Sequence, residues 1–219
     1  MPNWCDNQVT ITGPESVIDK IEKIVREEEN IDLSSKEKGE SMGLLNFMYP
    51  MPKELEDTTS PSSSADKPQP MVDGFDNWYD RRGENWGTKW DISEFYGVER
   101  ELTPDGDSMI SFAFSSAWAP PLGAYEYFLA KNEDCTLEAH YYEGGCDFMG
   151  IWENGDDRCY QPSNYKSDDK FFESGDGWSL DNYFGITESM AEWEAEQEAE
   201  KEDVHEYVKG NKINIGEEV

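Results

Sequence analysis

The sequence predicts an α+β fold in which two helices cover one face of an antiparallel β-sheet. Strand and helix periodicities follow one another in the order strand, helix, hairpin, helix, strand over residues 1–152. Each of the two helices carries a single apolar stripe, which a sheet can cover. Aromatic residues make up 13% of the chain and supply large side chains for a core. These observations favour a folded, aromatic-rich domain over a disordered chain.

The first predicted strand covers residues 4–12, where apolar and polar side chains alternate until Gly13-Pro14 ends the pattern. From Pro14 onwards, apolar side chains recur at spacings of three and four, which predicts an amphipathic helix over residues 14–29 with proline in its first turn. A short apolar run follows at residues 44–48. The next segment is rich in Ser, Thr, Pro and acidic residues. This composition predicts a mobile insertion at about residues 53–75.

The remaining elements of this domain follow a block that is rich in tryptophan. They are a β-hairpin over residues 94–100 and 108–115, a helix over residues 121–131, and strands over residues 135–142 and 147–152. The complete order is that of the split βαβ, ferredoxin-like fold. We therefore assign residues 1–152 to one ferredoxin-like domain.

For residues 153–219 the sequence predicts an acidic C-terminal extension that packs on this domain or extends it. Its first part is irregular and aromatic-rich, and residues 187–208 have the composition of a helix. The acids in that helix form a candidate partner-binding surface: Glu188, Glu192, Glu194, Glu196, Glu198, Glu200, Glu202, Asp203 and Glu206. As a helix, residues 187–208 would extend about 33 Å, close to one turn of B-DNA at about 34 Å.

The charge of the chain excludes several classes of function. It has 49 acidic and 18 basic residues, for a net charge of -31. Such a surface repels phosphate, so we expect neither direct nucleic-acid binding nor docking on an anionic membrane. The sequence contains no apolar run of membrane-spanning length and begins without the pattern of a secretory signal, which predicts a cytoplasmic protein.

The sequence offers few groups for catalysis or metal binding. The cysteines Cys5, Cys135, Cys146 and Cys159 contain no Cys-x-x-Cys pair, so we expect reduced thiols, no metal and no cofactor. The only histidines are His140 in a predicted strand and His205 in the acidic helix, and neither is favoured as a catalytic base. Carboxylates are too numerous for their spacing to nominate a hydrolase site, which stays a minor alternative.

Five blocks carry a resemblance to a known family. They are MPNWCDN at residues 1–7, YPMP at 49–52, NWGTKWD at 85–91, SAWAPP at 116–121, and YEGG at 142–145, which leads to Phe148 and Gly150. Together they resemble the YubB-like ferredoxin-like domain family of plasmid and phage proteins. The resemblance implies a ferredoxin-like fold without an iron–sulfur cluster and a mobile-element origin. That family has no established catalytic residues to carry over.

Two hypotheses for function follow. The leading hypothesis is a non-enzymatic phage or plasmid protein that binds and inhibits a basic host protein, either a DNA-processing or a defence protein, with its acidic helix acting as a DNA mimic. The alternative is a small ligand- or protein-binding module whose surface is the tryptophan cluster, with acidity serving only solubility. Its candidate residues are Trp78, Trp86, Trp90 and Trp118. The sequence leaves the partner and the oligomeric state open.

Overall fold

The computed structural model describes residues 3–29, 43–92 and 95–213, and within these it does not describe the side chains of residues 27–29 and 202–213. The chain divides into two compact units, Met1–Gln161 and Pro162–Val219. The first unit contains a six-stranded antiparallel sheet together with helices, so the predicted α+β class is confirmed. Within the described residues no helix is both long enough and apolar enough to cross a membrane.

The sheet of the first unit is built around its first strand. Its strands are β1 (Trp4–Gly13), β2 (Tyr96–Leu102), β3 (Ser108–Ala117), β4 (Thr136–Glu143), β5 (Phe148–Glu153) and β6 (Asp156–Tyr160). They lie in the order β2-β3-β1-β4-β5-β6, and each neighbouring pair is antiparallel. The central strand β1 pairs with both β3 and β4, so that Val9 faces Phe112 on one side and Ala139 on the other.

Helices cover one face of this sheet. They are α1 (Glu15–Glu29), α2 (Leu44–Met48), α3 (Lys53–Glu56), α4 (Trp78–Trp86) and α5 (Leu122–Lys131). Ile18 and Ile21 of α1 share one buried cluster with Tyr125 and Phe128 of α5. Because strand side chains alternate between the two faces, this shared cluster lies on a single face of β1. Its largest fully buried side chains include Trp86, Trp152, Tyr125, Phe112, Phe114 and Phe128.

The predicted mobile insertion contains local structure. Residues 53–75 include α3 and a short 3₁₀ helix, Ser62–Ser64. The Thr58 hydroxyl accepts a hydrogen bond from the backbone N–H of Trp78 at 2.9 Å, and the Ser62 hydroxyl donates to Asp76. The mobility of this insertion stays a prediction. Residue 94, where the hairpin was predicted to begin, lies outside the described residues.

Helix α4 and strand β6 are among the elements that were not predicted from the sequence. Helix α4 is short and has no clear apolar period, but the Asn77 side chain caps it by accepting a hydrogen bond from the Asp80 N–H. Strand β6 follows β5 through Asn154-Gly155, both with positive φ (49° and 101°). An Asn-Gly pair with this backbone is the usual two-residue hairpin turn. The sequence therefore contained a signal for β6.

The second unit is helical in its described part. It contains 3₁₀ helices at Pro162–Asn164 and Lys170–Glu173, then α6 (Gly175–Phe184) and α7 (Ile186–Ile213). Gly177 of α6 lies so close to the Phe171 carbonyl that a Cβ would be 2.1 Å from that oxygen. Helix α7 contains the predicted acidic helix and, at 28 residues, exceeds it in length. Its backbone extends about 42 Å at about 1.5 Å per residue.

Candidate functional site

Three half-exposed tryptophans form a surface at the end of the sheet where β1 begins and β3 ends. Trp4, Trp90 and Trp118 are 46%, 40% and 46% exposed. The rings of Trp4 and Trp90 lie 6.0 Å apart between centroids. Trp4 pairs with Ala117, the residue before Trp118. We call these three side chains, together with Lys89 between them, the tryptophan platform.

Lys89 contacts two of the three indoles. Its Nζ lies 4.2 Å from the centroid of the Trp90 ring and 5.4 Å from that of Trp118, both within the range of a cation–π interaction. The side chain is half-buried, and it makes no ion pair or hydrogen bond with any residue that the structure describes. Among the described residues, only the two ring faces therefore hold its ammonium group. No described carboxylate pairs with it, although the chain has 49 carboxylate side chains.

Backbone contacts fix the loop that carries Lys89 and Trp90. Gly87 has a φ of +87°, and a Cβ there would lie 3.0 Å from the Pro120 carbonyl oxygen. The buried Thr88 hydroxyl donates to the Ala117 carbonyl at 2.8 Å. The backbone N–H of Trp118 donates to the Asn3 carbonyl at 3.0 Å. Three segments that are distant in sequence thus hold the platform in one arrangement.

Trp118 adopts an unusual backbone conformation. Its φ is +74°, in the region that favours glycine and that bulky residues rarely occupy. Such conformations cost about 1–3 kcal/mol and concentrate at functional sites. The surrounding contacts hold Trp118 in this conformation, and its indole stays 46% exposed.

The Asp6 carboxylate lies near Trp4, and two further carboxylates, Glu143 and Asp147, lie near Tyr142. Asp6 is two residues further along β1, on the same sheet face as Trp4, and pairs in register with Tyr142 of β4. Burial raises the pKa of Tyr142, and the negative charges of Glu143, Asp6 and Asp147 raise it further. The platform therefore borders a locally negative surface.

The exposed Cys146 belongs to the same end of the sheet. Its thiol accepts a hydrogen bond from the Asn3 side chain at 3.2 Å. The Glu143 carboxylate accepts hydrogen bonds from the backbone N–H groups of Gly145 and Cys146. Hydrogen bonding to Glu143 raises the pKa of the Cys146 thiol. This environment disfavours the thiolate, the nucleophilic form of cysteine.

The five blocks that carry the family resemblance meet around this site. Asn7 donates to the Ser116 hydroxyl at 2.9 Å, and the indole N–H of Trp86 donates to the Tyr49 carbonyl at 2.8 Å. The bonds of Thr88, Trp118 and Asn3 described above join the remaining blocks. Residues scattered over more than 140 positions of sequence are therefore neighbours in space.

The structure separates the four tryptophans of the predicted cluster. Trp86 is fully buried, and Trp78 is half-buried against the core. The Arg82 guanidinium lies 5.3 Å from the Trp78 ring centroid and 4.8 Å from that of Trp86, and burial lowers the pKa of Arg82. Of these four, only Trp90 and Trp118 are exposed, at 40% and 46%. Sequence reasoning did not single out Lys89, because nothing in the sequence places it between two rings.

The candidate acids of α7 differ in their environment. Glu194 is half-buried and accepts hydrogen bonds from the Ser167 backbone N–H at 3.1 Å and hydroxyl at 2.7 Å, which lower its pKa. The exposed acids are Glu188, Glu192, Glu196, Glu198 and Glu200. The side chains of Glu202, Asp203 and Glu206 lie outside the described residues. Trp193 on the same helix is 62% exposed.

The candidate catalytic groups are dispersed. His140 is buried in β4, with Nδ1 3.7 Å from Glu138 Oε1. The His205 side chain lies outside the described residues. All four cysteines are free, and Cys5 and Cys135 are buried. Over the described part of the chain, no three His, Cys, Asp or Glu side chains are grouped so as to hold a metal ion.

Comparisons with known proteins give two similarities. YubB of Escherichia coli strain K12, an uncharacterized protein, is 32% identical over 83 residues, which are 38% of this chain and 54% of YubB. The chain thus spans about half the length of this curated relative. The crystal structure of api92 from Yersinia pseudotuberculosis, of the family model DUF1281, covers 73% of this chain and 98% of its own, with 11% identity and a TM-score of 0.44. No family model matches the chain.

Proposed function

We propose that this protein is a non-enzymatic binding protein that holds a protein partner on its tryptophan platform. The observation that carries the proposal is the exposure of Trp4, Trp90 and Trp118 on a backbone that neighbouring segments fix by hydrogen bonds. Exposed aromatic groups on a rigid frame are typical of interaction sites, because they bury a large area with little loss of side-chain freedom. The backbone of Trp118 also supports the proposal. Its φ of +74° is energetically unfavourable, and residues in such conformations are concentrated at functional sites.

The platform stands on a domain that we propose to be ferredoxin-like. The antiparallel order β2-β3-β1-β4, with α1 following β1 and α5 following β3, supports this assignment. We also propose a protein of plasmid or phage origin that acts in the host cytoplasm, and this proposal rests on the family resemblance. The five blocks of that resemblance include all four platform residues.

A second candidate function is the inhibition of a basic host DNA-processing or defence protein by α7 as a DNA mimic. A specific observation favours it: Glu188, Glu192, Glu196 and Glu200 recur every four residues with exposed side chains. Such a row can attract a cationic groove and speed association. We rank it second because Glu194 is engaged within its own unit by Ser167.

One capture experiment separates the two candidates. The full-length protein, a variant with Trp90→Ala and Trp118→Ala, and a variant with Glu192→Gln, Glu196→Gln and Glu200→Gln are immobilised and exposed to bacterial lysate at low and high salt. Bound proteins are identified by mass spectrometry. If the leading proposal is correct, a specific partner will bind to the natural protein and to the glutamine variant but not to the tryptophan variant.

The opposite pattern, with steep loss at high salt, would support the α7 candidate instead. A Trp178→Ala variant is the matched control, because Trp178 is exposed but lies on α6, outside both candidate surfaces. A partner retained equally by every variant would exclude both surfaces. Thermal denaturation of each variant checks that folding is preserved.

A further inference from the structure

The tryptophan platform already holds a cation from its own chain. The Nζ of Lys89 lies over the rings of Trp90 and Trp118 at 4.2 and 5.4 Å, which is the arrangement that aromatic cages use to bind ammonium groups. A cation is attracted to the negative face of an aromatic ring, and indole binds it best. The geometry thus shows that these ring faces can bind an ammonium group.

The Lys89 side chain can also be displaced from the two rings. It makes no ion pair or hydrogen bond with any described residue, so its position depends on the two rings. Its half-buried side chain has a flexible four-carbon stem, and an exposed ammonium group is well hydrated. Moving its ammonium group into water therefore breaks the two ring contacts but no hydrogen bond or ion pair with a described residue.

The charge around the platform selects the same class of ligand. Asp6 extends from the face of β1 that carries Trp4, and Glu143 and Asp147 lie close enough to act on Tyr142 beside it. The whole chain carries a net charge of -31. These negative charges attract an incoming cation and repel a phosphate or carboxylate ligand. Within the platform, Lys89 is the positively charged residue.

From these observations we propose that Trp4, Trp90 and Trp118 form a cation-binding cage for a lysine or arginine side chain of a basic protein partner, and that Lys89 occupies it until the partner displaces it. Lys89 then acts as an internal competitor. The proposal rests on the platform being the binding surface and adds the chemistry of its ligand.

The direct test follows the indole N–H signals of the full-length protein by NMR during titration with tetramethylammonium chloride, with sodium chloride adjusted to keep ionic strength constant. Signals are assigned from single Trp→Phe variants of the eight tryptophans. We expect saturable shifts of Trp90 and Trp118, with Trp4 following, below about 0.1 M ligand. The indoles of Trp178 and Trp193, which are exposed elsewhere, should not shift.

Two variants sharpen the test. Lys89→Gln removes the competitor and should tighten tetramethylammonium binding about fivefold. Trp118→Leu should abolish it, and Trp90→Leu serves the same purpose if the Trp118 variant does not fold. N-acetyl-lysine amide and N-acetyl-arginine amide should shift the same indoles as tetramethylammonium.

Three results would overturn the inference: no platform shift with any cation, unchanged or weaker binding in the Lys89→Gln variant, or a response to the anion AMP that depends on Lys89. The titration needs no partner, so its failure is distinguishable from failure of the proposed function. Partner capture that depends on Trp90 and Trp118, without cation binding, would reject only the cage. Cation binding without platform-dependent capture would reject the proposed function and the basic protein partner, but not the cage itself.

Discussion

Single glycines decide how closely the segments around the platform approach each other. Gly123 lies in the first turn of α5, and a Cβ on it would be 2.5 Å from the Asn85 carbonyl oxygen and 3.1 Å from the carbonyl carbon. Real Cβ atoms do not approach backbone atoms so closely. The side chain of any other residue would therefore push the segment that contains Asn85 away from α5.

We predict that Gly123→Ala lowers the free energy of unfolding by about 2 kcal/mol or more, because relief of the contact requires movement of backbone. Denaturation in urea measures the change. Gly83 in α4 is the matched control, since nothing lies within 4 Å of its Cβ position. There, alanine should stabilise the protein by about 0.5–1 kcal/mol through helix propensity. Equal effects at the two positions would contradict the packing described for this region.

At the scale of elements, Glu194 links α7 to the segment that precedes α6. Its carboxylate accepts two hydrogen bonds from Ser167, and these lower its pKa from the ordinary value of 4.5. A lowered pKa in the folded state means that the stabilisation is fully present above the unfolded value and is lost as the pH falls through the folded value. The link should therefore weaken only in acid, below about pH 4.5.

We predict that Glu194→Gln reduces the hydrogen-exchange protection of the Ser167 amide about two- to fivefold at pH 7, since a charge-assisted bond becomes a neutral one. The difference from the natural protein should shrink only as the pH falls through the lowered pKa of the folded Glu194 carboxylate, below its ordinary value of 4.5. Glu192→Gln, on the exposed side of α7, should leave this amide unchanged at every pH. A pH-independent difference would show that the side chain acts through packing and not through its charge.

For the whole molecule, the net charge of -31 makes an unfavourable contribution to stability that the salt concentration can change. Like charges repel more strongly in the compact state than in the expanded unfolded chain. Mobile ions reduce this repulsion, because the screening length falls from about 30 Å at 0.01 M salt to about 10 Å at 0.1 M.

We predict that the midpoint of thermal unfolding rises by several degrees between about 0.01 and 0.3 M sodium chloride. Scanning calorimetry measures the midpoint. Potassium chloride should give the same rise, since screening does not depend on the identity of the cation. A midpoint that falls with salt would indicate that ion pairs, such as those of Arg100 with Asp19 and Glu22, outweigh the general repulsion.

The sequence by itself determined the elements whose side-chain pattern repeats. The helices at α1 and α5 and the strands β1 and β3 were predictable because burial of one face imposes a period on the sequence. The acidic helix was predictable from composition. Helix α4 was not, because its formation depends on the Asn77 cap and on contacts that Trp86 and Arg81 make with the distant Tyr49.

Only the tertiary structure decided which tryptophans are exposed. Trp86 and Trp90 belong to one block of sequence, yet Trp86 is fully buried and Trp90 is 40% exposed. The difference arises because Gly87 turns the chain with a φ of +87° and Thr88 ties it to Ala117, which places Lys89 and Trp90 beside Trp118. Such positions depend on contacts between segments far apart in sequence, and local periodicity carries no information about them.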